Sequence, residues 1–336
     1  MRILVTGAAG FIGSHLCERL LKDGKHEVIG LDAFVPTTPR RFRERNLSSL
    51  LRHPRFTIVE QDLLNADWAK VLDGVDVVYH LAAIPGVRSS WRDNFPDYVS
   101  NNIVATQKLL EAVKEIALQK FVYISTSSVY GEKSGRIDES ANTDPLSPYG
   151  VSKLTGEHLC RTYRANYGIP VVILRYFTVY GPRQRPDMAF HRFIRKVFEG
   201  KKIPVYGDGL QSRDFTYVTD CVEATYSVMN AENVIGETIN IGGKERATVL
   251  ETISILEHWF GHSIPIDKWT DARGEPRHTW ADISKAEKFL GYRPKVSLRE
   301  GLRQEIEDLC DLYQTDINIC PDLPLLSERY PIPRDS

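Results

Sequence analysis

Five short runs, Ile3–Val5, Val28–Leu31, Val75–Leu81, Phe121–Ile124 and Val171–Leu174, are mainly apolar and are separated by stretches of helical period. A strand that is apolar on both faces is covered on both faces, so this rhythm predicts βαβ units and a parallel sheet between helix layers. The first intervening helix carries Ile12, Leu16 and Leu20 at i, i+4, i+8, and Lys22-Asp23-Gly24 ends it with glycine in the capping place. From about Tyr176 the pattern loosens, and Gly181-Pro182, Gly207-Asp208-Gly209 and Gly242-Gly243 interrupt shorter elements. The expected fold is α/β, a Rossmann-type doubly wound parallel sheet over 1–175 with a smaller C-terminal substrate-binding lobe over 176–320. Some segments of that lobe are expected to return to the first domain. The proline- and charge-rich stretch 321–336 reads as a tail outside the core, and the basic run Arg40–Arg45 as a solvated loop or helix start.

Bulk properties narrow the function. With 43 basic and 44 acidic side chains in 336 residues, the formal net charge of -1 gives no global field toward nucleic acid or a membrane surface. Five scattered cysteines without a C-x-x-C argue against a disulfide framework or a zinc site and fit a reducing cytoplasm. No H-E-x-x-H or paired histidine spacing occurs, so no metal is expected. The chain starts directly in an apolar strand, with neither a secretory segment nor an 18-residue apolar run.

Two patterns carry chemistry. Gly7-x-x-Gly10-x-x-Gly13 stands between the first strand and helix, where missing side chains let backbone N–H groups and the helix start, with Phe11 and Ile12 in it, approach a pyrophosphate. Asp32 closes the second strand, placed to accept hydrogen bonds from an adenosine ribose and to repel a 2′-phosphate; NAD is favoured, with the arginines at 40–45 keeping NADP open. Asp62-Leu63 and Leu81-Ala82-Ala83, after the third and fourth strands, fall where adenine and nicotinamide ribose would lie, although a turn aspartate and close-packing alanines explain them equally. Ser147 and Pro148 start a helix that sets Tyr149 and Lys153 one turn apart on one face. An ammonium near a phenol lowers its pKa, and a phenolate can take a sugar hydroxyl proton. Without the glycine loop, the pair would read as an ordinary surface contact.

Together with Arg175-Tyr176-Phe177, Arg213-Asp214-Phe215-x-Tyr217-Val218-x-Asp220 and Asn240-Ile241-Gly242, these motifs resemble the extended short-chain dehydrogenase/reductase family (NAD-dependent epimerase/dehydratase) from residue 1 to about 310. The resemblance implies NAD, a UDP-sugar or similar substrate, and a Tyr149 base assisted by Lys153 and the Thr126 hydroxyl. It puts Asn102 and Phe177 near the nicotinamide end, Arg213 at the diphosphate with Arg192 and Arg273 as further candidates, and Tyr206 against uracil. It also implies a homodimer through the helices at 103–117 and after Tyr149.

The segment after Thr126 discriminates among reactions that share oxidation at C4. Dehydratases of the family resemble Asp-Glu there and UDP-glucuronate decarboxylases resemble Thr-Ser-Glu; here both positions, Ser127 and Ser128, are serine, which cannot act as a carboxylate acid or base. Epimerisation at C4 remains. Thr126, Ser127, Ser128 and Thr178, the last where relatives resemble asparagine, are expected to donate to one acceptor near C5, with Arg185 as a charged anchor; strand-end hydroxyls and a surface arginine are the plain alternatives. Gly86-Val87-Arg88 and Gly181-Pro182-Arg183-Gln184-Arg185-Pro186-Asp187-Met188 are similar to the UDP-glucuronate 4-epimerase branch. The rivals are a UDP-glucose 4-epimerase, a UDP-glucuronate decarboxylase and an NAD-responsive binding protein without turnover.

Overall fold

The computed structural model describes residues 1–270 and 274–313. Its strands are β1 (Arg2–Thr6), β2 (Glu27–Asp32), β3 (Phe56–Glu60), β4 (Val77–His80), β5 (Lys120–Thr126), β6 (Val171–Tyr176), β7 (Thr178–Tyr180), β8 (Ile203–Tyr206), β9 (Ser212–Tyr217), β10 (Thr238–Ile241), β11 (Glu245–Thr248) and β12 (Ile266–Trp269). Its α-helices are α1 (Phe11–Lys22), α2 (Arg40–Leu47), α3 (Trp68–Val71), α4 (Phe95–Tyr98), α5 (Ala105–Val113), α6 (Pro148–Tyr167), α7 (Ala189–Phe198), α8 (Val218–Ser227), α9 (Val249–Phe260), α10 (Ser284–Leu290) and α11 (Leu298–Tyr313).

Seven strands form one parallel sheet in the order β10-β6-β5-β4-β1-β2-β3. Ile3, Leu4 and Val5 have no exposure, as a strand covered on both faces requires. The order reverses between β1 and β4, and the crevice beyond their carboxyl ends is where an open α/β sheet binds its ligand. β10 lies in the second half of the chain yet pairs with β6, Ile239 opposite Leu174. The sheets β11-β9-β7 and β12-β8 are built from later segments.

Helix ends follow their residues. Asp23 caps α1 and Gly24 follows at φ +64°. Ser147 Oγ accepts the Gly150 N–H at 3.1 Å, Pro148 takes the first turn of α6, and Gly168 ends it at φ +73°. The chain from Val99 to Val104 is a π-helical turn before α5 rather than part of one regular helix.

The expectation of a solvated surface for Arg40–Arg45 fails at Arg43. These residues start α2, and Arg43 is buried, giving Nη1 to Asp32 Oδ1 at 2.8 Å and Nη2 to the Val35 carbonyl at 3.0 Å. Phe42, Asn46 and Leu47 are buried on the same helix, so packing turns Arg43 inward onto the end of β2. Arg40 and Arg41 are exposed as expected, Arg40 pairing with Glu44 and Glu60, whereas Arg45 is half-buried against Asp308.

Candidate active site

The glycine loop stands at the carboxyl ends of β1 and β4, where an open α/β sheet receives a dinucleotide. Gly7 adopts φ +73°, and a Cβ there would lie 2.9 Å from the Ala82 nitrogen; at Gly13 one would lie 2.1 Å from the Gly7 carbonyl oxygen. Side chains would therefore break the loop or fill the approach to it. Gly10 caps α1 with no side chain on the first-turn N–H groups and no acid follows it, leaving the amides at Phe11 and Ile12 available to an anion. Asp32 receives the Ala9 N–H at 3.1 Å on Oδ2 and the Phe34 N–H at 2.9 Å on Oδ1, which Arg43 shares. Asp62 closes a turn by accepting the Leu64 N–H at 2.8 Å, with Leu63 buried behind it. The Ala82 N–H bonds Thr6 Oγ1 at 3.1 Å, holding Leu81-Ala82-Ala83 against the glycine loop. These residues fit NAD.

Asn102 and Phe177 sit deeper than a direct contact would suggest. Asn102 accepts the Ile84 N–H at 2.7 Å and donates to the Ile84 carbonyl at 3.0 Å and Ser152 Oγ at 2.9 Å, tying the loop after β4 to α6. Phe177 is buried against Tyr130.

Tyr149, Thr126 and Lys153 converge at the start of α6 and the end of β5. Thr126 caps the short turn Ser127–Val129: its Oγ1 accepts the Ser128 N–H at 3.1 Å and lies 3.2 Å from Ser128 Oγ, and it also hydrogen-bonds Tyr149. Burial raises the Tyr149 phenol above its ordinary value, while the Arg185 charge and the Thr126 hydrogen bond pull it back. Lys153, expected to do the lowering, is not among those causes. Its ammonium is buried 4.2 Å from the Tyr123 ring centroid, and burial brings its own pKa down to about 8. The lysine lies against the Tyr123 ring of the sheet beneath the helix, and the charge that draws the phenol down is that of Arg185. Tyr98 completes the wall, its ring edge-on to Tyr149 at 6.2 Å.

Ser127, Ser128 and Thr178 are half-buried at the ends of β5 and the start of β7. Arg185 is half-buried too and forms a bidentate pair with Asp187, at 3.0 Å and 2.9 Å. Farther out, Arg88 lies 3.9 Å over the Tyr206 ring and donates to Glu275 at 2.7 Å; Arg213 donates to the other oxygen of Glu275 at 2.9 Å. Tyr206, Arg88 and Arg213 thus share one patch. Arg192 stands apart on α7, and Arg273 lies outside the described residues. Sequence reading missed Glu275, Tyr98 and Asp187. Glu275, in the charged Arg273-Gly274-Glu275-Pro276-Arg277, and Asp187, beside Arg185, offered a local signal; Tyr98 offered none.

Residues 3–242 match the model of the NAD dependent epimerase/dehydratase family. A Bacillus subtilis protein described as an uncharacterized UDP-glucose epimerase is 57% identical over 94% of this chain and 99% of its own. A UDP-glucuronate 4-epimerase of Thermodesulfobacterium geofontis is 39% identical over 90% of this chain and 94% of its own. The crystal structure of the UDP-glucuronic acid 4-epimerase from Bacillus cereus, in complex with UDP-glucuronic acid and NAD, superposes with a TM-score of 0.92 at 56% identity, covering 93% of this chain and 100% of that one.

Proposed function

The chain belongs to the NAD-dependent epimerase/dehydratase family, and we propose that within it the protein is a UDP-glucuronate 4-epimerase, an isomerase interconverting UDP-glucuronate and UDP-galacturonate. The observation that carries this reading is the ledge beside Tyr149: Thr126, Ser127 and Ser128 are hydroxyls where an elimination would need a carboxylate, and the charge that draws the phenol down is that of Arg185. NAD is the cofactor; when bound in the crevice it supplies a hydride acceptor that later becomes the donor to the same carbon.

Tyr149 takes the proton of the C4 hydroxyl, with Thr126 as its hydrogen-bond partner and the Arg185 charge stabilising the phenolate; Lys153, one helical turn further along α6, adds its ammonium beneath the site once NAD and sugar are bound. The resulting 4-keto sugar turns to present its other face, and Tyr149 returns the proton to the inverted oxygen. A 4-keto uronate is a β-keto acid that loses carbon dioxide when its carboxylate bond aligns with the carbonyl π system. Ser127, Ser128 and Thr178 hydroxyls, with Arg185, hold that carboxylate out of alignment. Arg88 and Arg213 neutralise the diphosphate and Tyr206 receives uracil.

A neutral-sugar reading has one observation behind it, the description of the Bacillus subtilis relative. Turnover of UDP-glucuronate and UDP-glucose measured side by side separates the two: clear preference for the uronate is expected, and preference for the neutral sugar refutes the proposal. We also propose a homodimer formed through α5 and α6, supported by the exposed apolar side chains Val104 and Val151; a monomer in sedimentation contradicts it. A cytoplasmic setting suits the buried thiols Cys17, Cys160 and Cys221.

A further inference from the structure

Behind Thr126, Tyr149 and Lys153 lies a buried ion pair that the reaction as described does not use. Glu157, one helical turn beyond Lys153 on α6, has no exposure. Its Oε1 accepts Arg175 Nε at 2.8 Å and Ser125 Oγ at 2.6 Å; its Oε2 accepts Arg175 Nη2 at 2.7 Å and Arg161 Nη2 at 2.8 Å. Every oxygen is doubly engaged, so both the charge and the place of this carboxylate are fixed. Burial alone would push the Glu157 carboxyl up, yet Arg175, Ser125 and Arg161 hold it below the usual carboxylate range.

The partners come from the elements that carry the reacting side chains. Ser125 immediately precedes Thr126 at the end of β5, and Arg175 lies on β6 just ahead of Phe177 and Thr178. The Arg175 guanidinium also lies 4.7 Å over the ring of Tyr130, whose hydroxyl donates to Asn240 on β10 at 2.7 Å. Close approach of α6 to β5 is built in: a Cβ at Gly156 would lie 2.0 Å from the Tyr123 hydroxyl oxygen. Lys153 sits in this same layer. The groups facing it are Tyr123 from β5, His80 from β4, and Cys160 and Glu157 from α6. His80 is neutral, its pKa brought down to about 3 by burial and then by the Lys153 charge. Cys160 and Glu157 both oppose the burial of the ammonium, but burial keeps the Cys160 thiol neutral, so Glu157 is the one of the two that carries a negative charge.

We propose that Glu157 is a positioning residue for the epimerase reaction: locked by Arg175, its carboxylate keeps Lys153 charged and holds Thr126, Tyr149 and Thr178 at one spacing. This rests on the reading of Tyr149 as the base. The sign follows from the charges. Removing the carboxylate makes the buried ammonium easier to deprotonate, so the activity that needs it is lost at lower pH.

The test uses Glu157→Gln, which keeps the size and an acceptor for Ser125 but not the charge, and the pair Glu157→Gln/Arg175→Met, which leaves no unpaired buried cation. Folding is followed by circular dichroism and turnover of UDP-glucuronate across pH. Expected for each variant are a folded protein, kcat lower by about tenfold and KM within about twofold, with the high-pH limb of kcat displaced by about one unit toward acid in Glu157→Gln and by less in the pair, which loses one charge of each sign. A folded Glu157→Gln enzyme with the parent's kcat and pH profile overturns the assignment. So does failure of both variants to fold, which would give the pair to stability alone. A parent chain that never interconverts the two sugars sinks the epimerase reading and this inference together, whereas an active parent beside an unchanged variant sinks only the role of Glu157.

Discussion

Burial makes the Tyr149 phenol a poorer acid, so a base at neutral pH depends on what opposes burial. In this site Arg185 and Thr126 do so, which under the proposal gives Arg185 two duties: its charge lowers the phenol, and it anchors the carboxylate. Arg185→Ala is expected to weaken UDP-glucuronate binding by about 10- to 100-fold. It should also move the low-pH limb of kcat/KM to higher pH, because a phenol without its cation ionises later, and release carbon dioxide during turnover. Product analysis and a pH series check all three; parent values refute the anchor. Tyr149→Phe should lower kcat by about 10²- to 10⁴-fold and leave NAD affinity within about twofold, read by fluorescence titration. Lys153 sets the other limit. With its pKa brought down to about 8, the ammonium is present below that pH and lost above it, so kcat should fall through about pH 8 as the stabilising charge disappears. A flat profile to pH 10 would remove Lys153 from the proton chemistry.

Among the elements, α6 was the most legible in the sequence. Ser147, Pro148 and the spacing of Tyr149 and Lys153 describe a capped first turn, and the cap is found at 3.1 Å. Ser147→Ala should cost about 1 kcal/mol and about 2 °C of melting temperature, with a loss of kcat because the frayed turn carries Tyr149; an unchanged melt and rate would contradict this. The glycine loop was equally legible, since its steric demands are local. What the sequence did not disclose are partners supplied by the fold. Arg88 and Glu275 are 187 positions apart, and Arg43 reaches back to Asp32 only because α2 packs one face inward. β10 was recognisable as a motif but not as a strand of the main sheet: Thr238–Ile241 is short, and its central Asn240 is fixed by bonds to Tyr130 and the Ile137 carbonyl.

At the scale of the whole molecule, catalysis depends on two regions meeting. Arg88 follows β4, while Tyr206, Arg213 and Glu275 belong to the later segments, and their contacts join the two regions at the proposed nucleotide end. Arg213→Ala should therefore raise KM for the UDP-sugar by about 10- to 100-fold while NAD affinity stays at the parent value, a separation that a general folding defect would not give. Among the described residues no helix is long and apolar enough to cross a membrane. The central claim is that one hydrogen leaves C4 and returns to the same carbon on the opposite face. Incubating UDP-glucuronate deuterated at C4 with the enzyme in ordinary water, and analysing the products by chromatography and mass spectrometry, tests it most directly. The account expects UDP-galacturonate that retains the deuterium, with no carbon dioxide released; loss of the label to solvent, or no exchange between the two sugars, would contradict it.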